Sequence, residues 1–274
     1  MKKLSRIIEL IFIWIFTPNI SIKNKANYLI YFPITLLRLI FNREKRLSYF
    51  SRNFNYDDLS DVFTILAYPF EVTNRILDFI KPEEVKNVLD IGANLGQFSI
   101  TISNLLNNKP KIYSFEPNNE IYTILEKNTK RYTNIHIYNL GVGEKGEKTF
   151  YFTKNKSAKG SLIKENAKIK GSDSLIKTSI KLTSDIVKTT ERSNFDLIKI
   201  DVEGYEFEVI KNLNHISCQY LLVEVSCGTR TRSYLHSDFL KLLESKFGKF
   251  DILFQSEVKE KAECYDCLFK FMKI

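Results

Sequence analysis

Residues 88–100, with the sequence VLDIGANLGQFSI, constrain the fold of this chain more than any other stretch. They begin with a short apolar run that is typical of a buried strand and continue into a turn containing Gly92, Asn94 and Gly96. Apolar residues recur at helical spacing from Phe98 onward. A strand, a glycine-rich turn and a helix in this order are typical of nucleotide-binding α/β units, in which the backbone turns tightly beside the ligand. Asn94 suits such a turn because Asn tolerates left-handed dihedrals better than most residues.

Strand and helix patterns alternate along the chain from residue 85 to residue 274. Apolar runs predict strands, whereas apolar residues three and four positions apart predict helices. Strands are predicted at residues 88–91, 111–115, 135–140, 195–200 and 220–225, and helices at residues 95–106, 120–130, 205–213 and 237–246. Residues 250–254 and 267–272 have no helical pattern between them and predict a hairpin. The predicted fold class is therefore α/β, with a Rossmann-like, seven-stranded, mostly parallel sheet that ends in an antiparallel hairpin.

The region between the third and fourth of these strands is harder to interpret. Residues 149–152 and 179–182 predict short additional strands. Residues 154–174 are polar and rich in Lys, Ser and Gly, which predicts a long mobile loop.

The basic charge of the chain is concentrated near residue 1. Of the formal net charge of +9, residues 1–56 account for +8, from ten Lys and Arg against two acidic residues. Their two apolar segments fall short of the about 20 residues that span a membrane. They also lack the cleavage site of a signal peptide. We predict a basic, apolar helical arm at residues 1–56, a helical lead-in at residues 57–84, and the main domain at residues 85–274.

Two interpretations of the arm remain open. A basic helix rich in apolar and aromatic residues is typical of segments that lie in the interface of an anionic membrane, here residues 1–50. The alternative is a helical lid that packs on the main domain. We expect a cytoplasmic protein, which on the first interpretation is peripheral on the cytoplasmic face of the membrane.

The four cysteines indicate a reducing compartment rather than a disulfide framework. Cys264 and Cys267 form a CxxC pair. If both lie on one strand, residues three apart point to opposite faces and cannot ligate the same metal ion. The sequence therefore predicts no metal site here.

Polar residues follow the ends of the predicted strands, where ligands of such sheets bind. Asp90 precedes the glycine turn, and Glu116 follows the second strand about 20 residues later, where nucleoside-binding folds place an acid for the ribose hydroxyls. Asn139 and Gly141 end the third strand, where a purine edge could lie against backbone groups. These residues predict a nucleoside site.

The fourth strand contributes the residues predicted to act in catalysis. Asp201 and Glu203 follow it, and Lys199 lies two positions before Asp201, on the same face of the strand. A buried ammonium group is costly unless it has a charged partner, which either acid could supply. His136 and His236 are weaker candidates, since the first lies within a strand and the second just before a helix.

An acid at position 90 also restricts the ligand. It would repel a pyrophosphate, whereas it suits the cationic tail of an amino acid. A ligand with a ribose, a purine and an ammonium-bearing tail is S-adenosylmethionine, and the terminal hairpin fits methyltransferases better than dehydrogenases. The sequence therefore predicts S-adenosylmethionine as the cofactor.

Three stretches carry a resemblance to a known family: VLDIGANLGQ at residues 88–97, SFEPN at 114–118 and FDLIKIDVEGYE at 195–206. The chain from about residue 85 to 274 resembles the FkbM family of class I S-adenosylmethionine-dependent methyltransferases. The resemblance implies O-methylation of a hydroxyl, often on a sugar or a polyketide-type product. It also implies cofactor contacts at Asp90, Gly92, Asn94, Gly96, Glu116 and Asp201.

Methyl transfer requires an aligned acceptor oxygen and removal of its proton. We expect Asp201 or Glu203 to act as the base or to orient the acceptor, with Lys199 tuning the pair. The expected acceptor is a small molecule, glycan or glycolipid. Two alternatives are a membrane-bound protein that keeps the fold without catalysis and a nucleic-acid methyltransferase, which the apolar character of the basic arm disfavours.

Overall fold

The architecture of the chain was obtained as a computed structural model. It describes residues 46–49, 52–55, 76–107, 109–153, 156–164, 175–226, 236–256 and 264–272.

Strands and helices alternate through most of the described residues. The strands are Arg46–Tyr49 (β1), Arg52–Asn55 (β2), Asn87–Ile91 (β3), Lys111–Phe115 (β4), Ile135–Tyr138 (β5), Gly141–Val142 (β6), Gly146–Thr153 (β7), Lys156–Ser161 (β8), Leu175–Thr183 (β9), Asn194–Ile200 (β10), Ser217–Ser226 (β11), Phe250–Gln255 (β12) and Cys264–Phe271 (β13). The helices are Gln97–Leu105 (α1), Asn119–Thr129 (α2), Ile186–Thr190 (α3), Glu206–Lys211 (α4) and His236–Phe247 (α5), and a 3-10 turn covers Pro82–Glu84.

Seven of the described strands form one large sheet in the order β12-β13-β11-β10-β3-β4-β5. The pairs β10–β11, β10–β3, β3–β4 and β4–β5 are parallel. Strand β13 runs antiparallel to both of its neighbours, β11 and β12. The predicted α/β class, the mostly parallel seven-stranded sheet and its antiparallel ending are confirmed. The chain order reverses beside β3, so the glycine turn lies at the switch point where such sheets bind ligands.

Apolar cores cover both faces of the large sheet. Along β3, Val88 belongs to the cluster that includes Phe98 of α1, whereas Leu89 belongs to the cluster that includes Phe239 of α5. All four residues are at most 1% exposed. Successive strand residues point to opposite faces, so a strand buried on both sides must be apolar at consecutive positions, as β3 is.

A smaller sheet packs at the edge of the large one, in the order β6-β9-β7-β8. Its inner face forms a separate apolar cluster that includes Phe150, Ile180 and Leu182. The short strands predicted at 149–152 and 179–182 are confirmed as parts of longer strands. The mobile loop predicted at 154–174 is wrong for residues 156–161, which form strand β8 against β7. Residues 165–174 lie outside the described residues.

Little of the predicted helical arm and lead-in falls within the described residues. Where the arm is described, β1 and β2 pair as antiparallel strands, so helix is wrong for those eight residues. The physical reason is visible in their composition, since β1 and β2 are short and polar with single apolar residues rather than helically spaced ones. The other residues of 1–75 lie outside the described residues, and the predicted domain boundaries stay predictions. In the part of the chain that is described, no helix has the length and hydrophobicity to cross a membrane.

Three of the cysteines, Cys218, Cys264 and Cys267, are described, and no disulfide joins any two of them. Cys264 and Cys267 both lie on β13, buried, at positions that face opposite sides of the sheet. Burial raises the pKa of the Cys267 thiol to about 12 and also raises the pKa of Cys218. Within the described ranges, no group of three or more His, Cys, Asp or Glu side chains is placed to hold a metal ion.

Candidate active site

The glycine turn between β3 and α1 is held in a left-handed conformation. Gly92, Asn94 and Gly96 have φ angles of 81°, 50° and 91°. The backbone N–H groups of Gly92 and Ala93 both donate to the Phe115 carbonyl at 3.0 Å. A Cβ atom at Gly92 would overlap the carbonyl of Asp201, so only glycine allows β10 to approach this closely.

A buried ammonium group holds this turn from below. The Lys199 side chain is 5% exposed, and its Nζ donates to the Gly92 carbonyl at 2.9 Å. The same Nζ lies 3.5 Å from Asp90 Oδ1 and 3.4 Å from Asp201 Oδ2. Lys199 and Asp90 are direct partners in the parallel pairing of β10 and β3. Asp201, one of the two acids predicted as possible partners of Lys199, therefore lies beside it, and Asp90 is a further charged partner.

Asp90 belongs to a buried polar chain rather than to an open site. Its Oδ2 accepts a 2.6 Å hydrogen bond from Ser99 Oγ, which lies 2.7 Å from Ser114 Oγ. All three side chains are fully buried. Burial raises the pKa of the Asp90 carboxyl, opposed by the charge of Lys199 and the hydrogen bond from Ser99. Asp90 thus lies one layer below the turn, and its predicted contact with the cofactor stays a prediction.

Glu116 braces the turn from the neighbouring strand. Its Oε2 accepts from the Asn94 backbone N–H at 3.0 Å, and its Oε1 accepts from the Asn118 N–H at 2.9 Å. The residue is 6% exposed. Desolvation raises the pKa of Glu116 to about 7, against the two backbone hydrogen bonds. This carboxyl therefore shapes the site and also forms part of its wall.

The third parallel strand, β5, ends at Tyr138, two residues earlier than predicted, so that Asn139 follows it and Gly141 begins β6 of the small sheet. The Asn139 amide nitrogen donates to the Glu116 carbonyl at 3.0 Å and to the Pro117 carbonyl at 3.3 Å. Gly141 lies close to the Leu182 side chain and to Pro117, so that a Cβ there would crowd both. The two hydrogen bonds of Asn139 position the loop after β4. Because Gly141 has no side chain, Leu182 and Pro117 can lie close to its backbone.

The loop after β10 carries the two acids predicted to act in catalysis. The Asp201 side chain is 52% exposed. Glu203 is half-buried with φ of 51°, and its carbonyl accepts from Ser161 Oγ of the small sheet at 2.8 Å. The structure thus brings Asp201 and Lys199 together, and it fixes Glu203 through its backbone.

Glu206 organises this loop and was not predicted as a site residue. It is fully buried, and its Oε1 accepts from the Gly204 N–H at 2.9 Å and from the Val202 N–H at 3.3 Å. The sequence offered one signal, since Glu206 ends the stretch at residues 195–206 that carries the family resemblance. Its place in a helical pattern gave no indication of burial.

A cavity of about 470 Å³, partly open to solvent, lies between the carboxyl edge of the large sheet and the small sheet. The large sheet supplies one wall, with Gly92, Glu116 and Val202 among its residues. The small sheet supplies the other wall, which is largely apolar. The complete lining is Ile91, Gly92, Phe115, Glu116, Pro117, Gly141, Val142, Phe150, Gly160, Leu162, Ile180, Leu182, Val202 and Tyr205.

The two histidines considered as candidate bases, His136 and His236, are not among the residues that line this cavity. His136 is on β5, where its ring stacks on Tyr113 with centroids 5.3 Å apart. His236 begins α5, and its Nε2 lies 2.7 Å from the Tyr265 hydroxyl. Neither contact supports a role as the base.

The residues around the cavity fit S-adenosylmethionine. Asn94 Oδ1 is buried and accepts no hydrogen bond from the described residues, which leaves an acceptor atom in the turn for a ligand donor. Glu116, Pro117 and Gly141 lie together along one wall of the cavity. Gly92, Asn94 and Glu116 would hold the cofactor.

The strand order and the glycine turn at its switch point define a class I α/β methyltransferase. The sequence pattern of the methyltransferase FkbM domain matches residues 90–249, which is more than half of the chain. The chain therefore belongs to the FkbM methyltransferase family. The predicted family, methyl transfer and S-adenosylmethionine as cofactor are confirmed. No curated protein matches the sequence.

Several solved structures are similar at low identity. The methyltransferase FkbM from Methylobacillus flagellatus KT is 16% identical with a TM-score of 0.46, and the match covers 74% of this chain and 55% of that chain. Aeropyrum pernix fibrillarin, with natively bound S-adenosyl-L-methionine, is 12% identical with a TM-score of 0.46 and 83% of each chain covered. Methanococcus jannaschii fibrillarin is 15% identical with a TM-score of 0.42, over 84% of this chain and 83% of that chain.

Removing the buried ammonium group should destabilise the protein strongly. In Lys199→Met, Asp90 loses its partner charge in the core and the Gly92 carbonyl loses its donor. We expect the free energy of unfolding to fall by about 3–5 kcal/mol. The matched control is Lys211→Met, because Lys211 makes an exposed 3.9 Å ion pair with Glu208 and should contribute less than about 1 kcal/mol. Equal denaturant midpoints for the two variants would contradict this assignment.

The raised pKa of Glu116 predicts stability that depends on pH. At pH values between the ordinary pKa of a glutamate and about 7, the folded state binds more protons at this carboxyl than the unfolded state does. The free energy of unfolding should therefore fall as pH rises from 5 to 7, by about 2 kcal/mol. Urea unfolding across this range should show the decline in the wild type and a flatter profile in Glu116→Gln. Glu120→Gln, which changes an exposed acid on α2, is the control and should keep the wild-type slope.

Proposed function

We propose that this methyltransferase transfers the methyl group of S-adenosylmethionine to a hydroxyl oxygen of a sugar, a glycan or a lipid-linked precursor. The observation that carries the proposal is the Asp201 carboxylate. It is half-exposed at the carboxyl end of β10, directly before the cavity-lining residue Val202. A neutral hydroxyl must lose its proton as it is methylated, and a carboxylate beside the cavity is a suitable proton acceptor.

The protein's contribution is positioning and proton removal. When bound, S-adenosylmethionine supplies a methyl group already activated by a positive sulfur. Lys199 fixes the Asp201 carboxylate through the 3.4 Å ion pair. Ser161 and Glu206 fix the loop that carries Glu203. Either acid can then orient the acceptor hydroxyl and take its proton.

The apolar wall of the small sheet supports an acceptor with an apolar face. Phe150, Leu162 and Leu182 line this side of the cavity, opposite Glu116. Sugar rings combine carbon-bound hydrogens on one face with hydroxyls at the rim. Such an acceptor fits a site with one apolar wall and carboxylates near its edge.

Removing the acids one at a time tests this mechanism. Asp201→Asn and Glu203→Gln keep the side-chain shape and remove the proton acceptor. We expect the variant that lacks the base to lose about 10²–10⁴-fold in kcat. The assay is transfer of tritiated methyl from S-adenosylmethionine to methyl glycosides and to polyprenyl-phosphate-linked sugars.

Glu208→Gln is the matched control, because Glu208 lies on α4 and pairs with Lys211 on the surface. It should keep wild-type activity. Full turnover by both Asp201→Asn and Glu203→Gln would refute a carboxylate base at this loop.

We further propose that residues 1–50 bind the cytoplasmic face of a membrane, where lipid-linked acceptors are found. The support is the sequence: two apolar, aromatic-rich segments flanked by Lys and Arg. The full chain should sediment with vesicles containing about 30% anionic lipid, and less so as salt is raised. A chain lacking residues 1–50 should stay in the supernatant. Equal sedimentation of the two proteins would refute the proposal and leave the lid interpretation.

A further inference from the structure

Tyr205 connects the two sheets at the cavity. It packs against the apolar cluster on one face of the large sheet and against the cluster of the small sheet. Its ring edge covers Gly143, where a Cβ would lie 3.1 Å from Tyr205 Cε1. Tyr205 also lines the cavity, two residues after Glu203. The ring is therefore clamped in place beside the acids predicted to act in catalysis.

The Tyr205 hydroxyl has a cationic partner from the small sheet. Lys148 Nζ, on β7, donates to the Tyr205 oxygen at 3.0 Å and lies 5.6 Å from the centre of its ring. Glu144 lies on the other side of Lys148, with its Oε2 at 3.4 Å from Nζ. The hydrogen bond to Tyr205 and the charge of Glu144 raise the pKa of Lys148, which keeps it an ammonium group.

The chemistry of the two groups determines which one donates in the hydrogen bond between Lys148 and Tyr205. An ammonium group has three hydrogens and no lone pair, so it can only donate. The Tyr205 oxygen must therefore be the acceptor of the 3.0 Å hydrogen bond. Among the residues that the structure describes, no acceptor is bonded to the hydroxyl hydrogen of Tyr205. This hydrogen can therefore be donated to a ligand, and the charge-assisted bond from Lys148 strengthens the hydroxyl as a donor.

The small sheet lines the cavity next to Tyr205 with apolar side chains. Phe150 and Leu162 line the cavity there, and the Phe150 ring lies directly on the backbone of Gly160, leaving no room for a Cβ. A ligand in this cavity would meet the apolar side chains of the small sheet and, beside them, the ring and hydroxyl of Tyr205. That combination matches the ring of a sugar, which presents carbon-bound hydrogens on its face and oxygens at its edge.

We propose that Tyr205 binds the methyl acceptor by donating its hydroxyl hydrogen to a ring or hydroxyl oxygen of a sugar, and that Lys148 positions the Tyr205 hydroxyl for this contact. The inference rests on the proposed function, since it names the residues that recognise the sugar acceptor. Tyr205 contacts the acceptor and takes no part in the proton transfer. Lys148 acts only through Tyr205.

The test uses substitutions that keep the packing. Tyr205→Phe keeps the ring over Gly143 and removes the hydroxyl, and Lys148→Met keeps the side-chain length and removes the ammonium group. Glu144→Gln is the matched control, because it changes the second partner of Lys148 without contacting Tyr205. Each full-length protein is assayed with tritiated S-adenosylmethionine and methyl glycosides, and its cofactor affinity is measured by calorimetry.

We expect Tyr205→Phe to raise KM for the glycoside about tenfold, as for the loss of one hydrogen bond, with kcat and cofactor affinity within about twofold of wild type. Lys148→Met should raise KM by a smaller factor. In the Tyr205→Phe background, Lys148→Met should add nothing, because the hydroxyl through which it acts is gone. Glu144→Gln should resemble the wild type.

The outcomes separate this inference from the proposed function. A wild-type KM in Tyr205→Phe, together with methylated glycosides, would overturn the role of Tyr205 and leave sugar methylation standing. An added effect of Lys148→Met in the Tyr205→Phe background would overturn the positioning role of Lys148. A wild-type protein that binds S-adenosylmethionine and methylates none of the glycosides would overturn the proposed acceptor and, with it, the assignment of Tyr205 as a sugar-binding residue.

Discussion

The buried ammonium group of Lys199 is the interaction on which the candidate site depends most. An isolated charge in the core costs several kcal/mol, so it is tolerated only where partners surround it. Here the partners are Asp90 on the neighbouring strand, the Gly92 carbonyl in the turn, and Asp201 at the edge of the cavity. One side chain thereby fixes the register of β3 and β10, the shape of the turn, and the position of the half-exposed acid. The turn and the acid are parts of a single electrostatic unit.

Carboxylates in this site act on the backbone as well as on ligands. Glu116 accepts hydrogen bonds from two N–H groups in neighbouring loops, and Glu206 does the same within the loop after β10. Backbone donors in irregular loops need partners when they are buried. An acidic side chain satisfies two of them at once. Glu116, which the sequence pattern assigns to ligand binding, therefore also determines the shapes of the two loops whose N–H groups it accepts.

The sequence predicted the large sheet well because its strands and turns are specified locally. The apolar run of β3 and the glycine turn after it are visible without tertiary information. Strand β8 was missed because its sequence, KSAKGS, has no alternating apolar pattern and its strand character comes from pairing with β7. The positions of Asp90, Glu116, Asp201 and Lys199 along the strands were predicted, whereas the burial of Asp90 and Glu206 depends on distant neighbours. Tyr205 was overlooked because its partner, Lys148, is 57 residues away in sequence.

The two walls of the cavity come from different parts of the chain, so one wall can change its sequence while the other is kept. The wall that fits the cofactor comes from β3, β4, the loops after them and Gly141, whereas most of the other wall comes from one continuous stretch, residues 142–182. Within the described residues, the two walls are joined by the hydrogen bond from Ser161 to the Glu203 carbonyl and by that from Lys148 to Tyr205. Under the proposed function, most residues that contact the acceptor therefore come from one continuous stretch of the chain. We expect that exchanging residues 142–182 while keeping Lys148 and Ser161 would change the acceptor and leave Gly92, Asn94, Glu116 and Gly141 in place.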